Sequence, residues 1–551
     1  MNRLALAALA LLSSTTAVAA GKPVFDPARL SSHVRVLSSD DYEGRGPATA
    51  GETKSIAYIV AQMKAAGLQP GGSLVAGKRG WTQDVPLLRS SIEGSPKLSF
   101  DVAGRSQPVS QGEEIAVRAA LTGARHVSIE GAPLVFVGYG VKAPERNWDD
   151  FKGVDLHGKI MVVLVNDPDY ETGGAAGDFG GKAMTYYGRW TYKYEEAARQ
   201  GAAGVLVVHE TGPASYGWAT VKNSNTNTMF DIVRDDPAAA HTPMEGWIQR
   251  DQAVALFRAS GLDFETLKRQ ARSRDFRPVP LKASFSADYS VNSGIITSHN
   301  VVGRVPGAKR PDETLIYSAH WDHLGVGRPD ARGDRIYNGA VDNATGVAAL
   351  IEMGRAFAHG PRPQRSVVFL AVTAEEKGLL GSEYYASNPL YPLAKTAGVI
   401  NMDALGVAGP ARNFSISGSA KLGLLDDLVA EGRRRGRTFM PEPHPENGGF
   451  YRSDHFPMAK RGVPAVSFES GNDLVAGGTA AGEAAASAYT RDRYHQPADE
   501  WSADWNLAGM ARDLELVHAV GARLANSREW PNWSADSEFR AARDASSAQR
   551  R

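Results

Sequence analysis

From Val291 onward the chain alternates between two textures, and this alternation narrows the possible folds more than any other feature. Short β-rich runs ("NVVGRVP", "ETLIYSA", "SVVFLAV", "AGVINM", "PAVSF") are interleaved with helical stretches ("NATGVAALIEMGRAFA", "NLAGMARDLELVHAVGARLA"). Such alternation predicts an α/β fold with a mixed, largely parallel central sheet flanked by helices. In sheets of this kind functional side chains gather beyond the carboxyl ends of the strands, so the residues just past each predicted strand are the first candidates.

Past "TLIYSA" comes "HWDH", with His320, Asp322 and His323; past "SVVFLAV" comes "TAEEKGLLGS", with Glu375 and Glu376; past "GVINM" comes Asp403. The loop "GAVDNATG" brings Asp342 to the start of a helix, and the late loop "RYHQPADE" brings His495. Each has an ordinary structural reading. An Asp before a helix is commonly its N-cap, a lone His after a strand is commonly a hydrogen-bonded scaffold residue, and a Glu pair is commonly a solvated turn. Their coincidence at one edge of one sheet argues for metal chemistry instead. The chain has no cysteine, so a transition metal must be held by His, Asp and Glu.

Two histidines and three carboxylates suit two zinc ions sharing one carboxylate. Asp342 is the expected bridge, with His320 and Asp403 on one ion and Glu376 and His495 on the other. Asp322 lies two residues from His320, on the same side of an extended segment, and is expected to accept the His320 ring N–H and fix its tautomer. Glu375, beside a ligand but not needed as one, is the expected general base. The expected reaction is peptide hydrolysis by an activated water, without a covalent intermediate.

The rest of the sequence sets the surroundings. With 551 residues the chain exceeds one core and predicts at least two domains. Residues 1–20 combine Arg3, the apolar run "LALAALALL" and small residues near Ala19 and Ala20, which reads as a signal peptide and predicts export to the periplasm or medium. The apolar run is too short to cross a bilayer core of about 30 Å, so no stable membrane insertion is expected. A net charge of zero gives no electrostatic case for nucleic acid. Residues 21–130 read as an N-terminal portion of the main domain, 131–285 as an inserted β-rich unit, 286–530 as the main α/β domain, and 531–551, polar and rich in Ala, Ser and Arg, as a disordered tail.

The stretches "SAHWDHLG", "GAVDNATGVAALIE", "TAEEKGLLGS", "NMDALG", "YRSDHFPMAKRGVPAVSFE" and "YHQPADE" resemble the secreted di-zinc aminopeptidase family, which includes bacterial leucyl aminopeptidases, aminopeptidase Y and the glutamate carboxypeptidase ectodomain. The insert resembles a protease-associated domain through "FVGYGVKAPERNWDDFKGVDLHGKIMVVLVNDPD" and "YKYEEAARQGAAGVLVVHE". The resemblance implies a zinc-exopeptidase fold of the phosphorylase/hydrolase-like type and two zinc ions on His320, Asp342, Glu376, Asp403 and His495. It also implies Glu375 as base, Asp322 orienting His320, and a cis peptide between Asp342 and Asn343. It further implies a tyrosine that holds the oxyanion, for which Tyr451 is the nearest match, while Asp454 and His455 either line the pocket or brace its loop. The implied substrates are peptides cut from the amino terminus. A carboxypeptidase or dipeptidase of the same superfamily, or a metal-free receptor-like homologue, are the alternatives; the last predicts broken ligands, and all five positions are intact. No G-x-S-x-G or H-E-x-x-H stretch occurs, which disfavours serine-hydrolase and gluzincin chemistry.

Overall fold

The structure is a computed structural model that describes residues 25–172, 177–327, 329–418 and 421–550; the expected signal peptide lies outside them. Two lobes share one strand. In the first lobe, strands Arg310–His320, Arg365–Val372, Thr396–Met402 and Ala465–Ser470 run parallel. Strand Val279–Val305 joins antiparallel beside Arg365–Val372, and Asn413–Ile416 joins antiparallel beside Ala465–Ser470. Every residue of Arg365–Val372 and Thr396–Met402 is buried, as expected for strands covered on both faces. The covering helices include Pro27–Leu37, Ala50–Ala65, Thr345–His359 and Ala508–Asn526, whose Leu30, Val34, Ile59, Met63, Val347, Leu350, Leu514 and Val517 enter the core. His320 pairs with Val372, and Ser318 with Asn401. The strand ends are therefore level, and the residues just beyond them emerge side by side.

The second lobe is a smaller parallel sheet, His126–Phe136, Ile160–Leu164, Gly204–His209 and Met244–Gln249, closed at one edge by antiparallel Ile115–Val117. Helices Trp190–Arg199 and Arg250–Ala259 accompany it. The expected insert boundaries need correction. Leu98, Phe100, Val102, Ile115 and Val117, assigned to residues 21–130, belong to the core of this lobe. Residues 130/131 and 285/286 both fall inside strands, His126–Phe136 and Val279–Val305. Val279–Val305 pairs with the second lobe through Ser290 and with Arg365–Val372 from Val301, so one continuous strand serves both lobes and the texture change in the sequence marks no break.

The tail is also a correction. Residues 531–550 are folded, with a helix at Arg540–Ala545. Trp533 is 2% exposed and joins the main core with Phe539. Its indole N–H donates to the Gly462 carbonyl at 3.1 Å, and the Arg543 guanidinium donates to the Thr396 carbonyl at 3.1 Å. Average polarity hid a few large anchors, each of which outweighs several solvated neighbours. Trp533→Ala should lower stability by about 3–5 kcal/mol, measured by denaturant unfolding; a tail without packing would give almost no change.

Candidate metal centre

The carboxyl edge of the first sheet brings His320, Asp342, Glu376, Asp403 and His495 together. His320 Nε2 lies 3.1 Å from Asp403 Oδ1 and 3.2 Å from Asp342 Oδ1. His495 Nε2 lies 3.2 Å from Asp342 Oδ2 and 3.1 Å from Glu376 Oε2. Asp342 thus gives one oxygen to each set. It is not the helix cap: the Gly346 N–H donates to Asn343 Oδ1 at 2.9 Å, so the neighbouring Asn takes that role. The Asp342–Asn343 peptide is cis, as the resemblance implies.

Several residues fix this geometry. Asp499 accepts the backbone N–H groups of Val341 and Asp342, each at 3.1 Å. Ser453 Oγ donates to Asp403 Oδ2 at 2.6 Å, and Asn401 Nδ2 donates to Ser453 Oγ at 2.7 Å. Glu375 and Glu376 sit on a tight turn in which Ala374 and Leu379 have φ of 52° and 61°. A Cβ on Gly381 would fall 2.5 Å from Asn300 Oδ1, so only glycine lets the chain leave this turn. A separate apolar cluster supports the same turn, because Val85, Leu87 and Ile232 pack on Ala374 and Leu380.

Asp322 acts differently from expectation. His320 Nδ1 is 3.1 Å from the Asp322 backbone carbonyl, whereas the carboxylate is 3.8 Å away. That carboxylate instead accepts the Glu375 N–H at 3.1 Å. Asp322 therefore fixes the His320 tautomer through its main chain and positions Glu375 through its side chain. Tyr451 is not brought to the cluster. Its hydroxyl donates to Glu538 at 2.8 Å and its ring packs on Phe450, Phe456 and Tyr186. Tyr494 is there instead, its ring stacked on His495 at 3.9 Å and 26°. Asp454 and His455 brace the loop: Asp454 accepts from Ser382 Oγ at 2.7 Å, and the His455 ring meets Phe450 edge-on at 4.6 Å.

Arg45 and His323 had no assigned role in the sequence. The Arg45 guanidinium, in a residue 1% exposed, donates to the carbonyls of Trp321, Leu37, Asn338 and Gly339 at 2.6–2.8 Å. It ties the loop after His320 to the loop before Asp342. Arg45→Met should leave these carbonyls unpaired and cost about 3 kcal/mol or more, with zinc content falling alongside; an unchanged denaturation midpoint would contradict this. His323 Nδ1 lies 2.7 Å from Glu376 Oε1, yet neither atom makes a hydrogen bond and both are buried.

The electrostatics describe a site with excess negative charge. Burial pushes the His320 and His495 imidazoles down, but the surrounding carboxylates win, holding His320 well above its ordinary value and His495 at about 10. Burial, overriding the attraction of His320, raises Glu375 well above the ordinary carboxyl range, helped by Asp403, Glu376 and Asp454. Burial likewise lifts Asp322 to about 7.

Divalent cations fit the donors. Ligands about 2.0–2.1 Å from a tetrahedral zinc are separated by about 3.3 Å, close to the spacings of 3.1–3.2 Å in both sets. The unbonded His323–Glu376 approach is a second sign, since it supplies buried donor atoms with nothing between them.

Residues 300–518 match Peptidase family M28. That match lies within the first lobe and includes His320, Asp342, Glu375, Glu376, Asp403 and His495. The chain is 37% identical over 106 residues to a "Probable zinc metalloprotease" of Pyrenophora teres f. teres, covering 19% of this chain and 22% of that protein. It is 30% identical over 179 residues to "Leupeptin-inactivating enzyme 1" of Streptomyces exfoliatus, covering 32% and 37%. The matches thus span between about a fifth and two fifths of these relatives. The fold is similar to that of an aminopeptidase from Aneurinibacillus sp. strain AM-1, with a TM-score of 0.51 and 19% identity over 92% of this chain and 95% of that one. That coverage takes in both lobes of this chain.

Proposed function

We propose that this chain is a zinc-dependent exopeptidase that removes residues from the amino terminus of peptides. The observation that carries this reading is the division of Asp342, one oxygen toward His320 and Asp403 and the other toward His495 and Glu376, with Glu375 beside both sets. Two zinc ions on these donors would polarise the scissile carbonyl and lower the pKa of water toward about 7. Glu375, oriented by its N–H bond to Asp322, takes the proton of the attacking water and delivers it to the leaving amine. Its buried carboxyl, raised in pKa, suits a group that must both accept and return a proton.

Tyr494 offers a hydroxyl to the oxygen on which negative charge develops. Tyr494→Phe should lower kcat about 10²-fold at unchanged zinc content; wild-type kcat would remove this role. The aminopeptidase assignment draws support from the names of its structural and family relatives. The second lobe is taken as the protease-associated domain that its sequence resembles. Action outside the cytoplasm rests on the basic, apolar and small-residue pattern of residues 1–20.

A panel of aminoacyl anilides and N-blocked peptides, with and without chelator, tests the reading. Chelator-sensitive release of N-terminal residues is expected. Cleavage of blocked peptides from the carboxyl end alone would overturn the aminopeptidase assignment, and cleavage insensitive to chelator would overturn the metal.

A further inference from the structure

We propose that the second lobe positions the metal centre: it grips, on both flanks, the segment 445–460 that carries Ser453, and so sets the Asp403 carboxylate. This rests on the zinc-peptidase reading above. The middle of the segment points inward, with Ser453 5% and Asp454 0% exposed. Ser453 Oγ donates to Asp403 Oδ2 at 2.6 Å. Ser382 Oγ, on the helix Leu380–Ser387 that follows the Glu375–Glu376 turn, donates to Asp454 Oδ1 at 2.7 Å. Both flanks are held from the second lobe. Before Ser453, the Met184 N–H donates to the Pro445 carbonyl at 3.0 Å, Lys182 Nζ pairs with Glu446 Oε1 at 2.9 Å, and a Cβ on Gly448 would fall 2.5 Å from Met184 Sδ. After Ser453, Lys460 Nζ lies 3.1 Å from the Tyr186 hydroxyl and 3.2 Å from Glu195 Oε1, and that hydroxyl also donates to Glu195. The Tyr186 ring packs on Phe456 at 5.2 Å and on Tyr451 at 6.1 Å. Lys182, Met184 and Tyr186 lie between strand Ile160–Leu164 and helix Trp190–Arg199, which carries Glu195.

A hydroxyl holds a carboxylate only while the two stay close and well aligned. Between the flanks, the Tyr451 N–H donates to the Gly448 carbonyl at 3.0 Å and the Phe456 N–H to the Ser453 carbonyl at 3.1 Å. These tight turns leave Ser453 little movement of its own, so a shift of either flank passes to its hydroxyl. From the first lobe, Asn401 Nδ2 donates to the same hydroxyl at 2.7 Å. Ser453 is therefore the point where the grip of the second lobe meets the sheet. Groups that orient a metal-binding side chain contribute about 10- to 100-fold to metal affinity. Asp403 faces His320, so displacing Ser453 should weaken the zinc position of His320 and Asp403 and spare that of Glu376 and His495.

The test is calorimetric zinc titration of the chelator-stripped full chain, with Lys460→Glu setting two carboxylates against each other at the lobe contact. Lys460→Glu should weaken one zinc position by about tenfold or more and leave the other unchanged, and Ser453→Ala should weaken the same position. In the Ser453→Ala background, Lys460→Glu should cost almost nothing further, because the path it acts through is already cut. Adding Glu195→Lys to Lys460→Glu restores the ion pair with reversed polarity and should recover most of the affinity. If Lys460→Glu does not fold, Lys182→Glu tests the other flank at an ion pair whose lysine is 53% exposed, with a loss of about two- to threefold expected. Wild-type zinc affinity in the folded flank variant would overturn the proposal. So would an equal further loss in the Ser453→Ala background, which marks a merely structural contact. If the wild type binds two zinc ions but releases no N-terminal residue, the peptidase reading fails while the titrations still decide the role of the lobe. If the wild type binds no zinc, both fall.

Discussion

Glu375→Gln is expected to lower kcat by about 10²–10⁴-fold while zinc content and KM stay close to wild type. Gln keeps the shape of the side chain and the backbone N–H bond to Asp322, but it cannot carry a proton from water to the leaving amine. Its neighbour should behave differently. Glu376 faces His495 Nε2 at 3.1 Å and His323 Nδ1 at 2.7 Å, so Glu376→Gln should lose zinc as well as activity. Stopped-assay kinetics with metal analysis on the same samples separates the two. Loss of zinc in Glu375→Gln and retention in Glu376→Gln would reverse the assignment.

Asp342→Ala should have the broadest effect on the metal centre, because this carboxylate serves both donor sets. Zinc affinity is expected to fall by more than about 10²-fold at both positions, with hydrolysis at background. The same variant should lose the stabilisation that zinc gives. A ligand that binds only the folded state adds about 4 kcal/mol when present at about a thousand times its Kd, so zinc should raise the wild-type melting temperature. Asp342→Ala, whose loop remains held by Asp499 and Arg45, should show almost none of that rise. Loss of one zinc with the other retained would mean that Asp342 is not shared.

Much of the metal centre is readable from the sequence because parallel strands present the residues at their carboxyl ends along one edge. His320, Glu375, Glu376 and Asp403 each come within a few residues of an uninterrupted apolar run, and the sheet levels those runs at that edge. The features that escape the sequence depend on distance along the chain or on main-chain contacts. Arg45 bonds three carbonyls 276 to 294 residues away, and a carbonyl leaves no mark in a sequence. Asp322 does lie beside His320, but strand geometry turns its backbone, not its carboxylate, toward the imidazole. Tyr451 is the nearest tyrosine to "SDH", yet its hydroxyl is taken up by Glu538, whereas Tyr494 reaches the cluster because it adjoins His495. The lobe boundaries escape because strand Val279–Val305 is continuous through both sheets, and the tail because Trp533 and Phe539 anchor a stretch whose average composition is polar.

The most direct test of the account is a zinc titration of the chelator-stripped full chain, with binding followed calorimetrically and hydrolysis of an aminoacyl anilide followed in parallel. Two zinc equivalents per chain should bind, with hydrolysis rising as both positions fill. Full hydrolysis by the stripped chain, or the absence of tight zinc binding, would contradict it.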